Sequence, residues 1–222
     1  MLPSRRLILF VAPLVAVALG VTGSVLVRQD APSNAPDQTS APALPGDISV
    51  QEPVMTEYRL RDKGPAGGIV FYVSSEPFAC GPDLTSWCNY LEVAPFESET
   101  KRPWSLLADA GGPGRSTDSA IGTGRANTFD IVAQGNTDPM TSAAAYADAY
   151  EFGGFDDWYL PSRDECHELT ITREVIGGFT LDTYWTSTGR TVSTAWYQDF
   201  LNGFQFLDDH ATSYLVRPIR AF

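Results

Sequence analysis

The chain has 222 residues, a net charge of −12 at neutral pH, and only 15 Lys and Arg, scattered without a basic patch. Binding to a phosphate backbone relies on clustered cations that release condensed counterions, so this balance argues against a nucleic-acid partner. The first fifty-odd residues lack a globular pattern, whereas the remainder is long enough to bury one substantial core.

In chain order, Arg5-Arg6 precede an uncharged run from Leu7 to Val27. At about 1.5 Å per residue, a helix of that length matches the hydrocarbon core of a bilayer. Pro13 is tolerated in such a helix, and the arginines on its N-terminal side predict that the rest of the chain is exported. Residues 1–27 therefore read as a signal-anchor, or transmembrane, segment in a single-pass cell-membrane protein. A cleaved signal peptide, leaving a secreted chain, is the alternative, although its apolar region normally spans only about 7–15 residues. No Cys lies near the end of the run, which excludes a lipoprotein. Residues 28–57 carry Pro32, Pro36, Pro42, Pro45 and Pro53 among Ala, Ser, Gln and Asp. Such a composition buries too little apolar surface to offset ordering entropy, so it reads as a Pro-rich disordered linker or stalk.

The domain, residues 58–222, opens with Gly64-Pro65-Ala66-Gly67-Gly68 before Ile69–Val73, a β-branched and aromatic run that reads as a strand. Tyr90–Ala94 reads as a second. Cys80 and Cys88 lie in the intervening loop with Gly81, Pro82 and Asp83, and in an exported chain they are expected to form a disulfide. Closing so short a loop contributes about 2–3 kcal/mol on the chain-entropy model. Cys166 is left over, as a core thiol.

Pro95 to Ser119 reads as a long loop. Gly122-Thr123-Gly124 lacks the third glycine and the preceding strand that a dinucleotide fingerprint needs. It predicts instead a turn before a helix over Ala126–Gln134, with Phe129, Val132 and Ala133 inward. Thr141-Ser142 caps a helix over Ala143–Tyr150 that stacks Tyr146 on Tyr150. In the stretch Asp156 to Glu165, Pro161 holds Leu160 extended. Ser162 and Glu165 have capping-box spacing, and Asp164, Glu165 and Glu168 complement the helix dipole. Gly177-Gly178 ends that helix. Strands follow at Tyr184–Thr188, Ala195–Phe200 and Phe204–Leu207, with a hairpin turn at Asn202-Gly203. A final strand over Tyr214–Phe222 has Pro218 at an edge. Two or three helices with a mainly antiparallel β-meander make an α+β fold.

The motifs Gly67-Gly68-Ile69-Val70-Phe71-Tyr72, Ile121-Gly122-Thr123-Gly124, Asp157-Trp158-Tyr159-Leu160-Pro161-Ser162, Tyr184-Trp185-Thr186-Ser187-Thr188, Ala195-Trp196-Tyr197-Gln198-Asp199-Phe200 and Val216-Arg217-Pro218-Ile219-Arg220 follow one another in order. This series resembles the Lcl C-terminal domain family, named for the last domain of bacterial collagen-like adhesins, from about Gly64 to Phe222. The resemblance implies a C-type lectin-like fold and a role in adhesion. In the adhesins the domain goes with trimers and with binding to sulfated glycosaminoglycans and host surface molecules. This chain has no Gly-X-Y repeat to enforce a trimer. From Tyr58 onward it carries 12 Lys and Arg against 22 Asp and Glu, a field that repels a sulfated polyanion.

Eight residues are candidate ligand contacts: Asp157, Trp158, Arg163, Trp185, Trp196, Asp199, Asn202 and Arg217. The tryptophans offer flat faces to a sugar ring or to the core. The charged members offer either a polar site or an internal ion-pair network, whose members are costly to remove singly. Asp156, Asp157, Asp208, Asp209 and Asn202 supply oxygen ligands of the kind Ca²⁺ takes, and solvated turns explain the same residues. No other cofactor or metal is expected. His167 and His210 stand in no recognisable catalytic motif, and Cys166 cannot supply the cysteine pair that formylglycine-generating enzymes on a related fold require. The expectation is a non-enzymatic, extracytoplasmic binding domain for a glycan or a surface protein. A structural envelope protein without a soluble ligand is the alternative, with an extracellular hydrolase behind it.

Overall fold

The computed structural model describes residues 57–106 and 117–222. The expected anchor over 1–27 and the linker up to residue 56 lie outside the described residues. Among the described residues, no helix is long and apolar enough to cross a membrane.

Among the described residues there are two sheets and three helices, an α+β arrangement as the sequence leads one to expect. Strands β1 (Ile69–Cys80) and β2 (Ser86–Val93) form a long hairpin. The expected strands are its buried half; the supposed loop between them is mostly the hairpin's far half, closed by the Cys80–Cys88 disulfide. After a short 3-10 turn over Phe96–Ser98 comes β3 (Thr100–Pro103). A strand therefore stands where the sequence reads as loop. Its polar composition hides it, because β7 rather than apolar burial holds it in place. Helices α1 (Gly124–Ala133), α2 (Ala143–Asp148) and α3 (Arg163–Ile176) follow. Strands β4 (Thr183–Gly189), β5 (Thr194–Asp199), β6 (Gln205–Asp209), β7 (Ser213–Val216) and β8 (Ile219–Ala221) complete the domain. One sheet runs β1-β2-β8 and the other β3-β7-β4-β5-β6. All pairings are antiparallel except β4 with β7.

The expected final strand over Tyr214–Phe222 is two strands in two sheets. Pro218 cannot donate to a ladder, and the chain changes sheets there. The Pro218 carbonyl accepts from Ala94 N at 3.0 Å, and Ile219 exchanges both backbone bonds with Tyr159. That exchange ties the Asp157–Leu160 segment to the end of the chain. One apolar cluster joins α3 to both sheets through Phe71, Leu91, Cys166, Leu169, Phe200 and Ile219. A second lies under α1 and α2, around Trp104, Leu160, Trp185 and Val216.

Two helix details depart from the expected pattern. The inner face of α1 is Gly124, Asn127, Thr128 and Ile131, whereas Phe129 is about half exposed. Apolar periodicity misleads here because the buried face is polar and bonded. Asn127 Nδ2 donates to Asp118 O at 2.7 Å, and Thr128 Oγ1 donates to Gly124 O and accepts from Leu160 N. Helix α2 ends at Asp148, so Tyr150 leaves Tyr146 and packs on Phe152 and Trp158.

Candidate functional site

The helix start at Ser162 is built as its spacing predicts. Ser162 Oγ accepts from Glu165 N, and Glu165 Oε2 accepts from Ser162 N at 2.7 Å. Glu165 does more than cap. Its other oxygen accepts from Gly122 N at 2.9 Å and from the Tyr159 hydroxyl at 3.2 Å, and the side chain is fully buried. Burial pushes this carboxyl up to about 7 against the three donors that favour its ionised form. Gly124 is required beside it, because a Cβ there would strike Glu165 and Tyr159.

Three of the eight candidate contact residues, Trp158, Trp185 and Arg217, are buried, and most of the rest are engaged in bonds within the domain. Asp157 pairs with Arg220, whose guanidinium also meets buried Glu92 at 3.1 Å and lies 3.9 Å from the centre of the Phe155 ring. Glu92 in turn accepts from Gly68 N at 3.0 Å and Ala66 N. Its burial raises its pKa and Arg220 opposes that rise. Arg217 donates to Ala94 O at 3.0 Å and to Gly178 O, pairs with Glu99 at 3.1 Å, and stacks on Phe179. Trp158 and Trp185 are buried, and Trp185 Nε1 donates to Arg102 O and Thr212 O. Asp199 and Asn202 hold their own turn: the Asp199 carboxylate accepts from Leu201 N at 2.7 Å and Asn202 Nδ2 at 2.6 Å.

Three of the other candidate calcium ligands have such partners too. Asp157 binds Arg220, Asp208 accepts from the Tyr214 hydroxyl, and Asp209 accepts from Ala211 N. Among the described residues, no group of three or more His, Cys, Asp or Glu side chains is placed to hold a metal.

Two candidates do come together at the surface. The Arg163 guanidinium lies 4.9 Å over the Trp196 ring, and both line an open cleft of about 480 Å³. Thr117, Asp118, Ser119, Thr188 and Arg190 complete its wall. Arg163 starts α3, Trp196 is on β5, and Thr188 is the penultimate residue of β4, so three rigid elements meet there. Their junction is fixed by Arg163 N donating to Thr188 Oγ1 at 2.9 Å, Thr117 Oγ1 donating to Ser187 O at 2.7 Å, and Asp164 N donating to Ser119 O at 3.0 Å. Arg163 is only loosely paired with Asp164, at 3.4 Å. Arg190, an exposed side chain, adds a second guanidinium to the wall. Sequence reasoning missed Arg190 and Thr117–Ser119. Arg190 sits in a polar turn, and Thr117–Ser119 reach the cleft only through long-range bonds to β4 and α3.

Residues 125–220 match the family model of the Lcl C-terminal domain. This segment is an Lcl C-terminal domain. No curated protein matches the chain. The Lcl match begins on α1 and ends on β8, which pairs with β2 outside the matched span. The hairpin that precedes the match therefore completes the fold. Arg163, Thr188, Arg190 and Trp196 of the cleft all lie inside it.

Proposed function

We propose that this chain is a membrane-anchored, extracytoplasmic and non-enzymatic binding protein whose Lcl domain, of C-type lectin-like fold, recognises a glycan or a surface protein. The supporting observation is the Arg163–Trp196–Arg190 cleft. It presents an aromatic face and two guanidinium groups on rigid elements, whereas Arg217 and the other tryptophans of the candidate set are buried and Asp157 is paired with Arg220. The apolar run over Leu7–Val27 supports anchorage, and the arginines before it support export of the domain.

A glycan array probed with the detergent-solubilised chain, with and without Ca²⁺, tests this reading. Signal that falls on Trp196→Ala and Arg190→Ala supports the cleft; signal that survives both moves recognition elsewhere. Silence on glycans, together with no capture of a surface protein, would leave a structural envelope role. The internal partnering of Asp157 and Arg217 favours that second reading. Mass spectrometry of the native N-terminus tests anchorage, because a mature chain beginning after Gly20 would overturn it.

A further inference from the structure

The far half of the β1–β2 hairpin is folded against the rest of the domain. Gly122 lies so close to it that a Cβ there would strike the Ala79 carbonyl. That approach brings the hairpin tip over the start of α1. A cavity of about 210 Å³ lies between them, and it shares no lining residue with the Arg163–Trp196 cleft. The Cys80–Cys88 disulfide, Pro82 and Tyr159 give it a mainly apolar lining. Three polar side chains join that lining: Arg125, Asp157 and Ser86. Among the described residues, each keeps atoms that make no bond. Arg125 uses only Nη1, on Asp148 and on the Trp158 carbonyl, which leaves Nε and Nη2. Asp157 uses only Oδ1, on Arg220, and leaves Oδ2. Buried Glu92 holds Arg220 from its other side, so Asp157 is fixed in place. Ser86 Oγ is unengaged as well. Arg125 and Asp157 share the cavity without pairing with each other.

We infer that this cavity is a binding site for a small zwitterion of the α-amino acid class, its carboxylate at Arg125 and its ammonium at Asp157. Small-molecule sites combine an apolar lining with a few placed polar groups, and here those groups carry both signs. A lone anion at Arg125 would meet the Asp157 carboxylate. A lone cation at Asp157 would meet two guanidinium groups, those of Arg125 and Arg220. A zwitterion satisfies both ends at once. It also carries no net charge, so the acidic field of the domain does not repel it as it repels a polyanion. Size narrows the class further. A cavity of about 150 Å³ admits benzene, so this one holds a molecule of roughly ten non-hydrogen atoms and excludes an oligosaccharide. The disulfide and Pro82 suit a short apolar side chain better than a charged one.

The test is isothermal titration calorimetry of the full-length chain in non-ionic detergent with glycine, both enantiomers of alanine, serine and proline. At least one of these should bind. The same amino acid with one end blocked, as its amide or its N-acetyl derivative, should bind about tenfold more weakly or worse. Arg125→Gln should weaken the free amino acid to a similar degree and leave its amide unchanged, a pattern that loss of folding does not produce. Ser86→Phe fills the cavity from the exposed hairpin tip without touching either ion pair. It should abolish binding at an unchanged thermal midpoint, and it carries the test if Arg125→Gln does not fold. Absence of binding by all of these amino acids at millimolar concentration overturns the inference. So does binding that survives Ser86→Phe, or binding that both blocked derivatives match.

Discussion

The Asp157–Arg220 region and the Arg163–Trp196 cleft use the same chemistry for opposite ends. Each sets an arginine over an aromatic ring and beside an aspartate. In the first, the arginine is nearly buried and its second partner, Glu92, is entirely so. In the second, the guanidinium is a third exposed and its aspartate more so. A charge pair removed from water is bound to its partners by the cost of leaving one alone, whereas a solvated pair is weakly held and free to exchange its partner for a ligand. The first region belongs to the fold, and the second is available for binding.

Breaking the buried side gives the largest expected effect. Arg220→Met leaves Glu92 buried without a cation and Asp157 without its partner. The variant should lose about 3–5 kcal/mol of stability in urea titration, a substantial share of what a domain of this size holds. A loss below about 1 kcal/mol, on the scale of an exposed pair, would erase the distinction between the two regions.

Glu165 gives the next effect and carries a pH signature. The folded carboxyl titrates near 7 and the unfolded one near its ordinary value of 4.5. The folded state therefore holds the extra proton between those values. Its contribution is most favourable below about 4.5 and is lost as pH rises through 7. Glu165→Gln should flatten the stability profile between pH 4.5 and 7.5. At pH 4.5 the variant should be weaker by about 1–3 kcal/mol, because an amide N–H then faces one of the backbone donors. A pH slope unchanged by the substitution would show that other groups govern that window.

The hairpin disulfide comes third. Cys80→Ser with Cys88→Ser should cost about 2–3 kcal/mol and leave the Arg163–Trp196 cleft unaltered, because the bond pins the β1–β2 hairpin and not α3 or β5. Binding lost in step with stability would show that the hairpin supports the cleft after all.

How much of this was legible in the sequence depended on whether the signal was local. The capping box at Ser162–Glu165, the Asn202-Gly203 turn and the Cys80–Cys88 pair are all written within a few residues. β3 was not legible, because Thr100–Pro103 has no apolar alternation and owes its place to β7 over a hundred residues later. The break at Pro218 was half legible: the proline marked an irregularity, but only the sheets on either side of it decide that one strand becomes two. For the site, Arg163 stood out as a charge that packing did not require, and Trp196 as a flat face for either a sugar ring or the core. Asp157 and Arg217 stood out as charges in the same way and proved to be paired within the fold, with partners Arg220 and Glu99 that lie 63 and 118 positions away. Arg190 gave no signal at all, because an arginine in a polar turn is ordinary until Trp196 and Arg163 are placed beside it.

The smallest expected effect on stability is the sharpest test of the cleft. Arg190 is exposed and belongs to neither apolar cluster, so Arg190→Ala should shift the unfolding midpoint by no more than about 0.5 kcal/mol in equivalent stability. If the cleft binds a ligand through its free guanidinium groups, the same variant should lose affinity while its thermal midpoint stays in place. Arg190→Lys separates charge from shape. A lysine restores a point charge without the planar fork, so it should rescue a ligand that needs only a cation and fail one that needs bidentate hydrogen bonds. Unchanged affinity in both variants would place this arginine on the same footing as any solvated surface charge and leave Trp196 alone to carry the cleft.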